Sequence, residues 1–233
     1  MKTKMPPVSQ NLYEIKSNLP SGVELVAVSK YHPIEALQQA YDAGQRIFGE
    51  NRPQEMTSKH EVLPADVQWH MIGHLQTNKV KMIAPYVSMI ESVDSLKLLQ
   101  EINRQALRAN RIIPVLLEIH VAQEETKSGF TPDECRALLE SGVVASLSNV
   151  KISGLMCVAS NTDDKARIRS DFRRVYRLFE ELKCGIFAGD SAFRYKSWGM
   201  SGDYKIAIEE GANLVRIGSA IFGQRDYSKP FKL

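Results

Sequence analysis

Lys30 closes the short apolar run Leu25-Val26-Ala27-Val28-Ser29. A lysine amine condenses with an aldehyde once its neutral form is within reach, and an apolar wall or neighbouring cations lower its pKa toward that form. Most lysines are exposed, so Lys30 alone reads as a solvated strand end. The far end of the chain changes its weight. Ser201-Gly202 and Gly218-Ser219 pair a hydroxyl with a glycine, the combination that holds a phosphate through backbone N–H groups and an O–H. Arg216 stands in the otherwise apolar stretch Leu214-Val215-Arg216-Ile217. A cation there is costly unless paired. It is either a salt bridge closing the interior or a donor to a ring nitrogen or a phosphate. An amine at one end and an anion cup at the other are the two halves of a site for a phosphorylated aldehyde.

Those residues meet only if the elements between them bring strand ends to one face. Apolar periodicity predicts a helix over 9–19, then a strand over 23–30 ending in Lys30. Strands follow over 46–50, 68–72, 87–92, 112–119, 152–158 and 213–217, with a further strand ending near Trp198-Gly199-Met200. The run Ile112–Ile119 is nearly continuous in apolar residues, as expected of a strand covered on both faces. Helices fall between the strands. Pro33 opens one whose stripe is Ile34, Leu37 and Tyr41, and Asp94 is placed to cap another. Thr131-Pro132-Asp133-Glu134 has the signature of a capping box. The longest helix spans about 164–183, and 184–198 is the stretch with the weakest pattern.

Eight strands alternating with helices in 233 residues predict a single α/β domain over 1–233, a (β/α)8 TIM barrel. A doubly wound sheet is the alternative, but no G-x-G-x-x-G fingerprint supports it. In a barrel the site lies at the C-terminal strand ends, with phosphate held after strands seven and eight. Lys30, Asn51, His74, Ser201, Gly218 and Ser219 all fall at such ends, and Met156 lies on strand six.

Composition narrows the rest. Thirty basic against 27 acidic side chains give +3, too small a bias to indicate nucleic acid or an acidic membrane. The arginines of the 164–183 helix read as a solvated outer face rather than a phosphate-tracking patch. No apolar run is long enough to span a bilayer, and the N-terminus has no signal-peptide core. Three scattered cysteines suggest a reducing compartment, hence the cytoplasm. His70 and His74 are spaced His-x-x-x-His, but one lies in a strand and the other beyond it, with no acidic ligand clearly placed, so a metal site is not expected.

Several segments together resemble the YggS/PROSC pyridoxal phosphate homeostasis proteins. They are Ala27-Val28-Ser29-Lys30, Phe48-Gly49-Glu50-Asn51, His70-Met71-Ile72-Gly73-His74-Leu75-Gln76-Thr77-Asn78-Lys79, Lys127-Ser128-Gly129, Gly154-Leu155-Met156, Gly199-Met200-Ser201 and Val215-Arg216-Ile217-Gly218-Ser219-Ala220-Ile221-Phe222-Gly223. The resemblance implies a barrel like the N-terminal domain of alanine racemase and pyridoxal 5'-phosphate as a Schiff base on Lys30. It implies phosphate contacts from Ser201, Gly218 and Ser219, Arg216 toward the pyridine nitrogen, and Asn51 near the ring hydroxyl. His74 and Met156 are carried over to the pocket wall. The implied role is intracellular balance of vitamin B6 and amino acids, with amino acids as further ligands and without robust turnover. The alternative is a weak pyridoxal phosphate-dependent racemase. Related racemases need a second domain carrying a catalytic tyrosine, and about 10 residues after Gly223 leave no room for one. Two departures stand out: Ala188–Trp198 is longer and more polar than the family pattern, and Gly202 replaces a small polar residue.

Overall fold

The computed structural model describes residues 7–121 and 128–224. Lys127, which opens one of the matching motifs, lies outside the described residues, as do residues 1–6. Eight parallel strands follow one another round a closed barrel: β1 (Glu24–Val28), β2 (Ile47–Glu50), β3 (Gln68–Met71), β4 (Met89–Val93), β5 (Ile113–Ile119), β6 (Val150–Cys157), β7 (Tyr195–Ser197) and β8 (Leu214–Ile217), with β8 back against β1. Each is followed by a helix: α2 (Ile34–Asp42), α3 (Pro53–His60), α4 (Val80–Ile83), α5 (Leu96–Arg108), α6 (Pro132–Glu140), α7 (Lys165–Cys184), α8 (Tyr204–Glu209) and α9 (Ser219–Phe222). A leading helix, α1 (Pro7–Ser17), lies against α2 and α9. This is the (β/α)8 architecture that the alternation predicts.

The strands divide the core in two because successive side chains face opposite ways. Leu25, Ala27, Val115, Leu117, Val215 and Ile217 belong to the large apolar cluster shared with the helices. Val26, Met89, Leu116, Met156 and Leu214 form a separate inner cluster that fills the barrel. Three of these inner residues are followed, two positions on and on the same strand face, by a charged residue: Met89 by Glu91, Leu116 by Glu118 and Leu214 by Arg216. On each of these three strands the charge therefore lies roughly 6–7 Å further along toward the C-terminal mouth than the apolar residue before it.

Local signals act largely as read. Thr131 and Glu134 form the reciprocal capping box of α6. Asp94 does not cap α5; Ser95 does, accepting from Leu98 N, while Asp94 accepts from the Ser95 hydroxyl. Strand β1 ends at Val28, two residues before Lys30. The last rung is Ser29 N–H to Gly49 O at 3.0 Å, after which Tyr31 turns the chain at φ 65. Strand β7 is only three residues long, so no periodicity could mark it. The polar stretch before it is held by a phenylalanine stack, with Phe193 wholly buried between Phe187 at 4.1 Å and Phe179 at 4.8 Å. The basic face of α7 is tied to the acidic end of α8 and the residue after it, through Arg169 to Glu209 and Glu210 and Arg173 to Glu210. Arg167 pairs with Asp171 at 3.1 Å. Among the described residues no helix is long and apolar enough to cross a membrane.

Candidate functional site

The closure of β8 on β1 brings the two ends of the sequence together. The register Ala27↔Ile217 sets Val28 level with Gly218, so the turn holding Lys30 rises beside the turn that leaves β8. Gly218 N–H donates to the Ser201 hydroxyl at 3.2 Å, which joins the loops after β7 and β8. Ser219 is exposed at the start of α9. Lys30, Ser201, Gly218 and Ser219 thus share one arc of the C-terminal rim. Asn51 follows β2 on the other side of β1. It sits so close to Gly73 that a Cβ there would lie 2.7 Å from Asn51 Cγ, and its Oδ1 is enclosed with no hydrogen-bond partner. His74 stands on the outer rim after β3, its side chain largely exposed and Nδ1 3.0 Å from Asp94 Oδ2. Met156 is deeper, 1% exposed in the inner apolar cluster, between Glu118 and Ser197 in the strand register.

Arg216 is almost fully enclosed, and its guanidinium is built in rather than hanging free. One terminal nitrogen donates to Ser197 O at 2.7 Å and to the Ser197 hydroxyl; the other donates to Cys157 O at 2.8 Å. Glu91 Oε2 is 3.8 Å away and accepts from the Ser197 hydroxyl, and Glu91 Oε1 is 2.6 Å from His70 Nδ1. The salt-bridge reading of Arg216 is therefore realised, through Ser197 as much as directly. Burial pushes the Glu91 carboxyl up, but His70, Arg216 and Ser197 outweigh it and hold it below the ordinary carboxylate range. Guanidinium N–H groups beyond those three bonds remain for a further acceptor. Nearby, Glu118 is pushed up to about 7 by burial and then by Asp94, against the hydroxyl of Ser128 and the charges of Arg216 and His74.

A second charged cluster lies behind the Lys30 turn, between the barrel wall and α3. Lys59 is wholly buried; its ammonium donates to Glu50 Oε1 at 2.6 Å, Glu55 Oε1 at 2.7 Å and Ser29 O at 2.8 Å. The Ser29 hydroxyl donates to Glu50 Oε1 at 2.6 Å, and Tyr31 N–H donates to Glu55 Oε1 at 2.7 Å. Burial pushes Glu50 up to about 7, with Glu55 adding to it and Lys59 and Ser29 opposing. Next to Ser201, a recess of about 550 Å³ is lined by Ser160, Met200, Gly202 and Asp203, and the Ser160 hydroxyl is enclosed without a partner.

The donor set is matched to an aldehyde with a dianionic tail. The rim carries the Lys30 turn, and the Ser201 hydroxyl and Gly218 amide there meet at 3.2 Å, while the Arg216 guanidinium lies buried on β8. Asn51 Oδ1 offers an unused acceptor on the opposite side of Lys30. His70 and His74 separate, one to Glu91 and the other to Asp94, and no group of three metal-ligating side chains occurs among the described residues. Glu91, Glu118 and Ser197 were not singled out from the sequence. The first two carry the signal that marks Arg216, a charge inside an apolar strand. Lys59 and Glu55 carry only an i,i+4 spacing, common on any exposed helix.

Known proteins resemble this chain over most of its length. Residues 6–226 match the family described as alanine racemase, N-terminal domain. The pyridoxal phosphate homeostasis protein of Aquifex aeolicus is 40% identical over 205 residues, covering 88% of each chain. That of Pasteurella multocida is 37% identical, covering 95% of this chain and 99% of the relative. PipY of Synechococcus elongatus, solved with PLP bound, is 35% identical with a TM-score of 0.83, covering 93% of this chain and all of PipY. Alanine racemase from Streptomyces coelicolor shares the fold, with a TM-score of 0.76 at 17% identity over 93% of this chain and 58% of the racemase.

Proposed function

Because the chain belongs to the pyridoxal phosphate homeostasis proteins, a family built on the alanine racemase N-terminal domain, we propose that it binds pyridoxal 5'-phosphate and serves its cellular balance and that of amino acids, without robust catalysis. The observation that carries the site assignment is the shared rim of β1, β7 and β8, where the Lys30 turn stands beside the Gly218–Ser201 contact. When bound, the cofactor supplies an aldehyde for an amine and a phosphate for hydroxyl and amide donors. Lys30 provides that amine. The Ser201 hydroxyl, the Gly218 amide and Ser219 hold the phosphate. Arg216 presents its remaining N–H groups to the ring nitrogen, Asn51 accepts from the ring hydroxyl, and His74 and Met156 border the pocket.

Arg216 also argues for holding over turnover. A guanidinium keeps its own protons at any physiological pH and leaves a ring nitrogen unprotonated, which weakens the ring as an electron sink. The bonds to Ser197 and Cys157 and the charge of Glu91 hold the guanidinium in place, which supports that reading. We assign residues 1–233 to one domain working in the cytoplasm, with pyridoxal phosphate and amino acids as its small-molecule partners.

The test is chemical. Purified protein is mixed with pyridoxal 5'-phosphate, reduced with borohydride and digested, and the modified residue is located by mass spectrometry. Label on Lys30, together with no steady-state conversion across an amino-acid panel, is the expected result. Label elsewhere in the wild-type chain overturns the site, and robust racemisation lost in Lys30→Ala overturns the carrier reading.

A further inference from the structure

We infer that the buried Glu50–Lys59–Glu55 cluster is the positioning device for Lys30, fixing the main chain on both sides of it so that its amine is presented to the cofactor aldehyde. The inference rests on the reading of Lys30 as the cofactor-bearing lysine and goes beyond it to residues that touch no ligand.

The cluster is aimed at the backbone. Ser29 O accepts from the Lys59 ammonium at 2.8 Å, and Tyr31 N–H donates to Glu55 Oε1 at 2.7 Å. These are the residues immediately before and after Lys30. The Ser29 hydroxyl is held by Glu50 at 2.6 Å, and Lys59 binds both carboxylates, so the contacts form one unit. The turn needs such support. Strand pairing has ended at Ser29, and Tyr31 is a bulky residue at φ 65, a conformation that costs an L-residue about 1–2 kcal/mol. Strained backbone persists only where its surroundings over-determine it.

Stability is a poor alternative account. Replacing a buried ion cluster with apolar residues of similar volume is often neutral or stabilising. Hydrogen-bonding both flanks of one lysine is something an apolar core cannot do. A displacement of about 1 Å in a reacting group can cost about a hundredfold in rate.

Two probes separate positioning from binding. Pyridoxine 5'-phosphate lacks the aldehyde and reports the phosphate and ring contacts alone, by calorimetry. Pyridoxal 5'-phosphate reports covalent capture, by absorbance and by borohydride labelling of the Lys30 peptide. The variants are Lys59→Met, Glu55→Leu, Glu55→Gln and Ser29→Ala. Lys59→Met and Glu55→Leu are expected to slow capture by about tenfold or more while pyridoxine 5'-phosphate affinity stays within about twofold. Glu55→Gln keeps an acceptor for Tyr31 N–H and restores most of the rate. Ser29→Ala leaves all three charges in place and gives a smaller slowing; it decides the matter if the first two variants do not fold. Capture at the wild-type rate in these variants overturns the inference, as does a parallel loss of both ligands. Wild-type label mapping away from Lys30 instead refutes the site assignment, and is seen before any variant is made.

Discussion

The charge inside the barrel allows a worked prediction. Glu91→Gln keeps the shape of the side chain and an oxygen for Ser197 but removes the negative charge facing Arg216. Glu91 is wholly buried and Arg216 nearly so, so solvent does not replace what is lost. Removing one partner of a buried pair costs about 3–5 kcal/mol. The lower end applies, because the charges are 3.8 Å apart and Arg216 retains three acceptors on Ser197 and Cys157. With a urea m-value of about 2–3 kcal/mol/M, the unfolding midpoint should fall by about 1–1.5 M. A double-mutant cycle isolates the pair. Glu91→Gln in an Arg216→Met background should cost less than in the wild type by about 2 kcal/mol, because the uncompensated cation is gone. A cycle additive to within about 0.5 kcal/mol, or a Glu91→Gln midpoint within error of wild type, would refute the claim that Glu91 compensates Arg216.

Other perturbations follow from single contacts. Gly154→Ala on β6, at φ 155, would place a methyl 1.9 Å from Tyr195 O and force β6 from β7; a loss of at least about 3 kcal/mol by urea unfolding is expected, and a midpoint near wild type would show that the pairing yields easily. The raised carboxyl of Glu50 sets a pH dependence. Between 4.5 and about 7 the folded chain keeps a proton that the unfolded chain has lost, so stability falls as pH rises through that window; at about 1.4 kcal/mol per pH unit the effect is bounded at about 3 kcal/mol. Glu50→Gln should flatten that part of the curve, and an unchanged slope would contradict it. Of the three cysteines, Cys184 is exposed whereas burial pushes the Cys135 thiol up to about 12 and raises Cys157 as well. A thiol reagent should therefore label one site in the native protein and three in denaturant, and native labelling of Cys157 would contradict its burial.

Legibility varied with how a residue makes its contacts. Strand β5 announces itself because both of its faces are covered, and α6 because its capping box is local in sequence. Lys30, Ser201 and Gly218 could be grouped because barrel topology alone brings their strand ends together. Strand β7 was placed a few residues late, since three residues carry no period and Tyr195–Ser197 is defined by its neighbours. Lys59 was invisible for a related reason: a lysine on a short polar helix reads as solvated, and only the folded chain brings Glu50 and Ser29 against it. Ser197 likewise gains its importance from partners on β4 and β8.

The inner cluster of Val26, Met89, Leu116, Met156 and Leu214 has a consequence for traffic. Among the described residues it fills the barrel interior like the base of a cup beneath the C-terminal mouth. A ligand held at that mouth would leave by the route it entered, so loading and unloading would not proceed at once from opposite ends.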